Sequence, residues 1–343
     1  MKKTLVALAI ASMSASAFAA NDSSQNSKPT FEFDPMHKDQ FSVSGSWGVG
    51  GYYDTYSEAF YDDWVTALTV AVNYQNNRLL GYLEVDLEMN YNSSESDNDK
   101  INAVYGGTVT SGPATDVDKA WLGFDTGYGV LSFGWENDTA LDKVDGAGDF
   151  TYEFGSSAGD TSDDFNVIKF QGSTSGFAYG ISASETSDTR SAADSVYNGY
   201  IGVEQETFNL YAGYETRELE NDKEYNVTSL SGNVTVADFK LGANFWINDT
   251  ENDANTGNEE TGYYLSAAYP VTPKLTLAVG YTDQSTDYQA TGTADTDYNA
   301  FNVAAMYTVS DKVDMGIDIK RDLEEKFDND EQTYVFAAAY YYF

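Results

Sequence analysis

Carboxylates are the side chains of this sequence best placed to do chemistry, and they crowd one segment. Seven of them stand there: Asp142, Asp145, Asp149, Glu153, Asp160, Asp163 and Asp164. A dense run of negative charge attracts cations and repels anions. The whole chain has the same bias, with 55 Asp and Glu against 18 Lys and Arg and a net charge of −37. This balance argues against nucleic acid as a partner and for small cations.

Catalytic chemistry has little support in the sequence. Lipases and proteases rely on a histidine as general base, and the sole histidine, His37, lies in a polar stretch with no pattern of regular structure. Cysteine is absent, so neither a Cys/His zinc site nor a disulfide is expected. Acidic stretches at 251–253, 258–260 and 322–330 offer oxygen ligands for calcium or magnesium, but none has the spacing of a calcium-binding hand loop. We therefore predict no enzyme, no cofactor and no dedicated metal site.

The start of the chain predicts export. Met1 and two lysines precede an apolar run over residues 4–10, and Ala17-Phe18-Ala19 follows as a small-x-small cleavage site. This pattern is typical of a secretory signal peptide, here over residues 1–19. Residues 20–39 form a polar extension of low complexity, for which we predict no strand. Beyond the leader no apolar run reaches the roughly 18 residues of a membrane helix, so a membrane protein must span with strands.

Strict alternation of apolar and polar residues points to such strands. In residues 79–91 the apolar members are Leu79, Gly81, Leu83, Val85, Leu87, Met89 and Tyr91, and the polar ones are Glu84, Asp86, Glu88 and Asn90. Successive side chains of a strand point to opposite faces. Because a carboxylate in hydrocarbon costs several kcal/mol, the acidic face must meet water while the apolar face meets lipid.

Similar alternating segments recur from residue 40 to the end, separated in turn by short and long connections, and we count sixteen. The last, 333–343, ends on Phe343, and in a soluble protein it would leave an apolar edge open to pairing. In a closed barrel the first strand pairs with it. We predict an all-β, transmembrane, antiparallel β-barrel over residues 40–343. A soluble sandwich or propeller also alternates, but neither explains the terminal Phe or the rhythm of the loops.

Four short motifs, taken in order, resemble a known family. They are 118–124 (DKAWLGF), 128–134 (YGVLSFG), 149–155 (DFTYEFG) and 163–169 (DDFNVIK). Together they are similar to the Gram-negative general porins, which are trimeric sixteen-stranded barrels. The third motif matches that family's loop-three signature, and the fourth matches the Asp-Asp-Phe that begins the next strand. The likeness is sharp over residues 117–171 and elsewhere depends on alternation and the chain ends.

The resemblance implies a location, an assembly and a set of site residues. A porin lies in the outer membrane of a Gram-negative bacterium, in contact with lipid and lipopolysaccharide. It forms a homotrimer in which the second loop, here 92–117, reaches over a neighbour. The third loop of the family folds into the lumen and constricts the pore. The residues expected at that constriction are Asp145, Asp149 and Glu153 in the loop, and Lys119 and Lys169 on the wall.

Departures from the family pattern shape the functional prediction. Tyr152 replaces the proline of the signature, Trp135 stands where a basic residue is common, and the first three predicted strands contain no basic residue. Few basic residues are therefore available for the wall side of the constriction, while the loop is strongly acidic. We predict a channel for passive diffusion of ions and small hydrophilic solutes that prefers cations.

Three alternatives stay open at this point. A solute-specific porin, for instance for a sugar, could use Tyr52, Tyr53 and Tyr56 as a stacking track. An adhesive or structural barrel could use its long acidic loops to bind a surface partner. Separately, the polar extension ahead of the first strand could enter the lumen and narrow it.

Overall fold

A computed structural model of the chain describes most of the residues after the first 38. The described ranges are 39–94, 98–135, 139–158, 166–185, 195–219, 223–251, 257–290, 292–324 and 330–343. The predicted signal peptide, almost all of the polar extension and His37 lie outside them. So do Asp160, Asp163 and Asp164.

Seventeen antiparallel strands and two short helices form within these ranges. The strands are β1 (Gln40–Asp54), β2 (Phe60–Asp62), β3 (Ala67–Asn76), β4 (Leu79–Asn92), β5 (Gly112–Asp125), β6 (Val130–Trp135), β7 (Val167–Thr174), β8 (Phe177–Glu185), β9 (Ser195–Glu204), β10 (Phe208–Leu219), β11 (Lys223–Val236), β12 (Phe239–Glu251), β13 (Asn258–Thr272), β14 (Leu275–Tyr288), β15 (Thr296–Ser310), β16 (Val313–Asp322) and β17 (Thr333–Tyr342). The helices are α1 (Asn98–Tyr105) and α2 (Asp142–Asp145). Among the described residues, neither helix is long and apolar enough to cross a membrane.

The sheet closes on itself through its first and last strands. β1 pairs with β17 from Ser46 opposite Tyr342 to Asp54 opposite Tyr334, and its other half pairs with β3. The three-residue β2 only bridges β1 and β4, so sixteen long strands form the wall in the described chain. The sixteen-stranded antiparallel barrel is confirmed. Closure gives every strand two partners and leaves no open edge, which is what a strand wall in lipid requires.

The apolar alternation of the sequence extends back to Trp64, but β3 begins only at Ala67. The carboxylate of Asp62 accepts hydrogen bonds from the backbone N–H groups of the next turn: Trp64 (3.2 Å), Val65 (2.8 Å) and Thr66 (2.6 Å). These bonds satisfy donors that would otherwise enter the ladder, so the chain turns before it pairs. The apolar alternation through Trp64 did not reveal this local competition.

Side-chain exposure follows the alternation. On β4, Leu83, Leu87 and Met89 are 41%, 46% and 58% exposed, while the intervening Glu84 and Glu88 are 2% and 6% exposed. The outer face is thus apolar and the inner face polar, as predicted. Because the inner face is polar, apolar side chains gather where connections pack against the wall. Three long connections matter here: the first joins β1 to β3, the second joins β4 to β5, and the third joins β6 to β7. The largest apolar cluster joins these three connections to β1 and β17.

Candidate functional site

The connection after β6, residues 139–158, runs along the polar face of the wall. It begins against β8 and β9, where the N–H of Ala140 donates to Ser182 Oγ (2.9 Å) and that of Leu141 to Asn198 Oδ1 (3.3 Å). Both wall residues are buried and alternate with exposed apolar residues such as Ile181. The connection therefore lies on the inner side of the barrel.

The middle of this connection lies flat against β11 to β13. The amide of Asn233 donates to the carbonyl of Ala147 (2.8 Å), and the hydroxyl of Ser266 donates to that of Gly148 (2.7 Å). Glycine permits the approach, because a Cβ on Gly242 would lie 2.2 Å from the Gly148 oxygen. Farther along, Asn244 donates to the carbonyl of Ser156 (2.9 Å). Polar wall side chains thus satisfy backbone groups that strand pairing leaves open.

The tip of the connection is anchored to β16 by one carboxylate. Asp318, which is fully buried, accepts N–H groups from three consecutive residues: Tyr152 (3.2 Å), Glu153 (2.9 Å) and Phe154 (3.0 Å). The amide of Asn302 on β15 donates to the same carboxylate at 3.1 Å. Hydrogen bonds to an ionised acceptor are about twice as strong as neutral ones. Asp318 therefore holds the tip against the wall without any ladder pairing.

Glu153 is half-buried at this tip. Its Oε1 accepts the hydroxyl of Tyr52 on β1 at 2.6 Å, and Trp64 Nε1 donates to the same tyrosine oxygen at 3.0 Å. The glutamate thus lies between the anchored backbone on one side and β1 on the other.

Asp149 is turned toward its own connection. Its Oδ1 accepts the backbone N–H and the hydroxyl of Thr151, both at 2.7 Å, and the hydroxyl of Tyr264 at 3.3 Å. Burial raises the pKa of Asp149, and the negative charge of Asp318 adds to that rise, while the bonds from Thr151 oppose it. Asp145, at the end of α2, is half-buried.

The two predicted basic residues lie on β5 and β7, the two wall strands that flank β6. Lys119 on β5 is 5% exposed and pairs in register with Glu84 of β4. Lys169 on β7 stands between Ser132 and Ser182 on the inner face. The structure brings Asp149 and Glu153 into one connection and the two lysines onto the wall from β5 to β7. Their roles at a constriction remain predictions.

Several interior residues were not found from the sequence. A bulge at Val117–Lys119 makes Asp118 and Lys119 both buried and gathers carboxylate oxygens of Glu84, Asp86 and Asp118 within 4.8 Å of one another. Two strands supply that cluster, so no linear motif marks it. Asp318 had a signal, because it alternates with Ile317 and Ile319. The hydrogen bond from Tyr52 had none.

The second connection packs on the barrel of its own chain in its described part. Ile101 of α1 is fully buried in a cluster with Tyr61 and Val65. The hydroxyl of Tyr105 donates to Asp63 at 2.5 Å. The apolar face of α1 therefore has apolar partners at its own barrel mouth. The reach over a neighbouring subunit stays a prediction.

The tyrosines proposed as a stacking track do not share one face. Tyr52 faces inward and is 3% exposed, while Tyr53 stacks on the outward-facing Phe60 with ring centres 5.0 Å apart. Adjacent residues of a strand point to opposite sides, so these two cannot form one surface. The track proposed for sugar stacking is therefore wrong.

Comparison with known proteins agrees with this architecture. A family model described as Gram-negative porin matches residues 4–340. The chain belongs to this family. The porin therefore resides in the outer membrane, as predicted. No curated protein matches the sequence significantly.

Solved structures share the fold of this porin at low identity. An anion-selective porin from Comamonas acidovorans is 12% identical with a TM-score of 0.67, covering 89% of this chain and 100% of that one. OmpF of Salmonella typhi in complex with daunomycin is 16% identical with a TM-score of 0.65, covering 90% and 100%. OmpT of Vibrio cholerae in its trimer form is 14% identical with a TM-score of 0.67, covering 89% and 99%. Identities this low establish the fold alone.

Proposed function

We propose that this porin is a passive channel for ions and small hydrophilic solutes, and that it prefers cations. The observation that carries the proposal is the charge of the inner face. Inward-facing carboxylates of the described strands include Asp54, Glu84, Asp86, Glu88, Asp116, Glu204, Glu215, Glu260, Asp314, Asp318 and Asp322. Inward-facing basic residues of those strands are Lys119, Lys169, Arg217, Lys223, Lys240 and Lys320.

Charges of both signs cancel in two ion pairs. Arg217 forms an ion pair with Glu215, and Lys143 of α2 forms one with Glu204 at 3.0 Å. The strands β1, β3 and β4 contain no basic residue at all. The charged side chains that β1 to β4 turn toward the lumen are therefore all carboxylates, and a water-filled pore with such a wall concentrates cations.

The fold does not decide the sign of the selectivity. The Comamonas structure is described as anion-selective, and it has the same barrel. Selectivity must therefore come from the side chains that line each pore. In this porin those side chains favour cations.

Reversal potentials in planar bilayers under a potassium chloride gradient test the proposal. We expect a cation-selective potential, and a smaller one in Asp149→Asn/Glu153→Gln, because two carboxylates of the third connection are removed. Thr110→Ala, at an exposed position of the second connection, is the matched control. An anion-selective or non-selective potential in the wild-type porin would overturn the preference for cations.

Liposome swelling with sugars of graded size tests the second part of the proposal. A general channel admits sugars at rates that fall smoothly with size. Block of the ionic current by one sugar would indicate a solute-specific porin, and a closed barrel in both assays would indicate an adhesive or structural role. Diffusion needs no reaction, and we propose no catalytic activity.

We also propose a homotrimer, on family membership and on the trimer form of the Vibrio structure. An unheated native gel should show a species of about three chains that becomes monomeric on boiling. A single monomer band in mild detergent would contradict the proposal. The signal peptide and the lumen-entering extension also remain predictions, which N-terminal mass spectrometry and deletion of residues 21–35 with single-channel recording would check.

A further inference from the structure

Tyr52 is the residue at which three connections meet. Its ring lies near one aromatic ring from each of the first, second and third connections and near one from β17. These are Tyr61 at 5.7 Å, Tyr105 at 5.4 Å, Phe154 at 6.5 Å and Phe336 at 4.9 Å between ring centres. The residue is only 3% exposed. Packing on four sides leaves the ring one rotamer, so the direction of its hydroxyl is fixed.

That hydroxyl is the middle member of a short chain of hydrogen bonds. Trp64 Nε1 donates to Tyr52 Oη at 3.0 Å, and Tyr52 Oη donates to Glu153 Oε1 at 2.6 Å. Because the indole N–H can only donate, the phenol oxygen accepts from it. The phenol proton is then available to donate to the carboxylate. A short hydrogen bond to an ionised oxygen is strong and directional. Glu153 is held on this side by its carboxylate and on the other by its backbone bond to Asp318.

We propose that Tyr52 is a positioning residue for ion selection, and that it fixes the orientation of the Glu153 carboxylate and keeps it ionised. The inference rests on the proposed cation preference and extends it from the loop to the wall. A carboxylate that accepts a donated hydrogen bond holds its negative charge to lower pH than one that does not. The strength of cation selection in mild acid should therefore depend on a neutral residue of β1.

Other titratable groups surround Glu153 and must be separated from it. They are Asp62 and Asp63 before β3, Tyr105 of α1, Tyr152 of its own connection, Asp318 and Lys320 of β16, and Tyr340 of β17. The phenols and the lysine do not change charge between pH 3 and 7. Because the aspartates carry carboxyl groups like that of Glu153, the effect of Glu153 must be isolated by comparison with a variant that lacks it.

The experiment is a double-mutant cycle of Tyr52→Phe and Glu153→Gln, read as reversal potential against pH in planar bilayers. Phenylalanine keeps the ring and removes only the hydroxyl. We expect Tyr52→Phe to lose its cation preference at a pH about one unit higher than the wild-type porin, the size expected for one hydrogen bond to a charged group. Added to Glu153→Gln, the same substitution should change nothing. Tyr53→Phe, the outward-facing neighbour, is the control.

The outcomes separate this inference from the function on which it rests. If Glu153→Gln leaves the reversal potential unchanged, the cation preference comes from other residues and the proposed role of Glu153 fails. If Glu153→Gln lowers the potential but Tyr52→Phe leaves the pH profile in place, only the role of Tyr52 is overturned. Should Tyr52→Phe fail to fold, Trp64→Phe removes the donor to the hydroxyl and keeps an aromatic ring. Trp64→Phe should shift the profile in the same direction, and no shift would contradict the proposal.

Discussion

Single residues decide how the third connection stays inside the barrel. Strand pairing cannot hold it, because the ladder bonds of the wall are already used. Asp318 replaces that ladder with three hydrogen bonds from consecutive N–H groups to one buried carboxylate. Leaving such a group without partners would cost free energy, so anchor and loop stabilise each other.

Replacing Asp318 by asparagine should loosen the tip. The neutral amide accepts more weakly than the carboxylate, and we expect a loss of about 1–3 kcal/mol in the free energy of unfolding. The loop should then fluctuate, and the single-channel current should become noisier. Heat-modifiability on gels and current recordings measure the two effects. Asp311→Asn, at an exposed turn, is the control and should change neither.

Asp149 should make the stability of the porin depend on pH. Burial raises the pKa of Asp149 in the folded state, so the folded chain binds this proton more tightly than the unfolded chain does. The contribution of Asp149 to the free energy of unfolding is therefore greatest in acid. It falls as the pH rises above about 4, which is the ordinary pKa of an aspartate in an unfolded chain. Asp149→Asn keeps the acceptor for Thr151 and cannot ionise.

The stability of Asp149→Asn relative to the wild-type porin should therefore increase as the pH rises from about 4 toward neutral. Urea unfolding at several pH values measures the difference. A constant difference across that interval would show that the carboxylate is not perturbed in the way its burial indicates. Asp311→Asn, at an exposed turn, is the control.

At the scale of elements, α1 belongs to the second connection but is packed like part of a hydrophobic core. Ile101 is fully buried and Val109, just beyond the helix, is 1% exposed. Both join the aromatic cluster that also holds the tip of the third connection. The second and third connections therefore share one packed unit at the barrel mouth.

Ile101→Ala should release α1 from that unit. Truncating a buried isoleucine costs about 2–5 kcal/mol, which is large for an eight-residue helix. The barrel itself should survive, since its pairing does not involve α1. Limited proteolysis should cut between residues 98 and 111 faster than in the wild-type porin. Equal cutting rates, or a rate as high in Asn102→Ala at the exposed neighbouring position, would contradict this role.

At the scale of the whole molecule, net charge sets the field that ions meet. A formal charge of −37 on a barrel with a largely acidic inner face gives a negative potential that added salt screens. The range of that screening falls from about 30 Å at 0.01 M to about 3 Å at 1 M ionic strength.

The cation preference should therefore weaken as salt rises. Permeability ratios from reversal potentials, measured at a fixed gradient from about 0.01 M to about 1 M, should fall steadily toward unity. A residual preference at high salt would measure the contribution of close contacts such as the one at Glu153. In Glu153→Gln the residual preference at high salt should become smaller, while the salt-dependent part of the preference persists. A ratio independent of salt would contradict a field origin.

The sequence by itself determined the wall. Period-2 alternation fixes which side chains meet lipid and which meet water, because strand geometry leaves only two faces, and the acids of β4 admit one orientation. The motif at 149–155 also located the third connection correctly. The tertiary structure decided the contacts among residues far apart in the chain. Asp149 accepts the hydroxyl of Tyr264 across 115 positions of sequence, α1 packs on its own barrel, and Tyr52 reaches Glu153 across 101 positions. Such contacts depend on how connections pack after the barrel closes, and no local period or spacing encodes that packing.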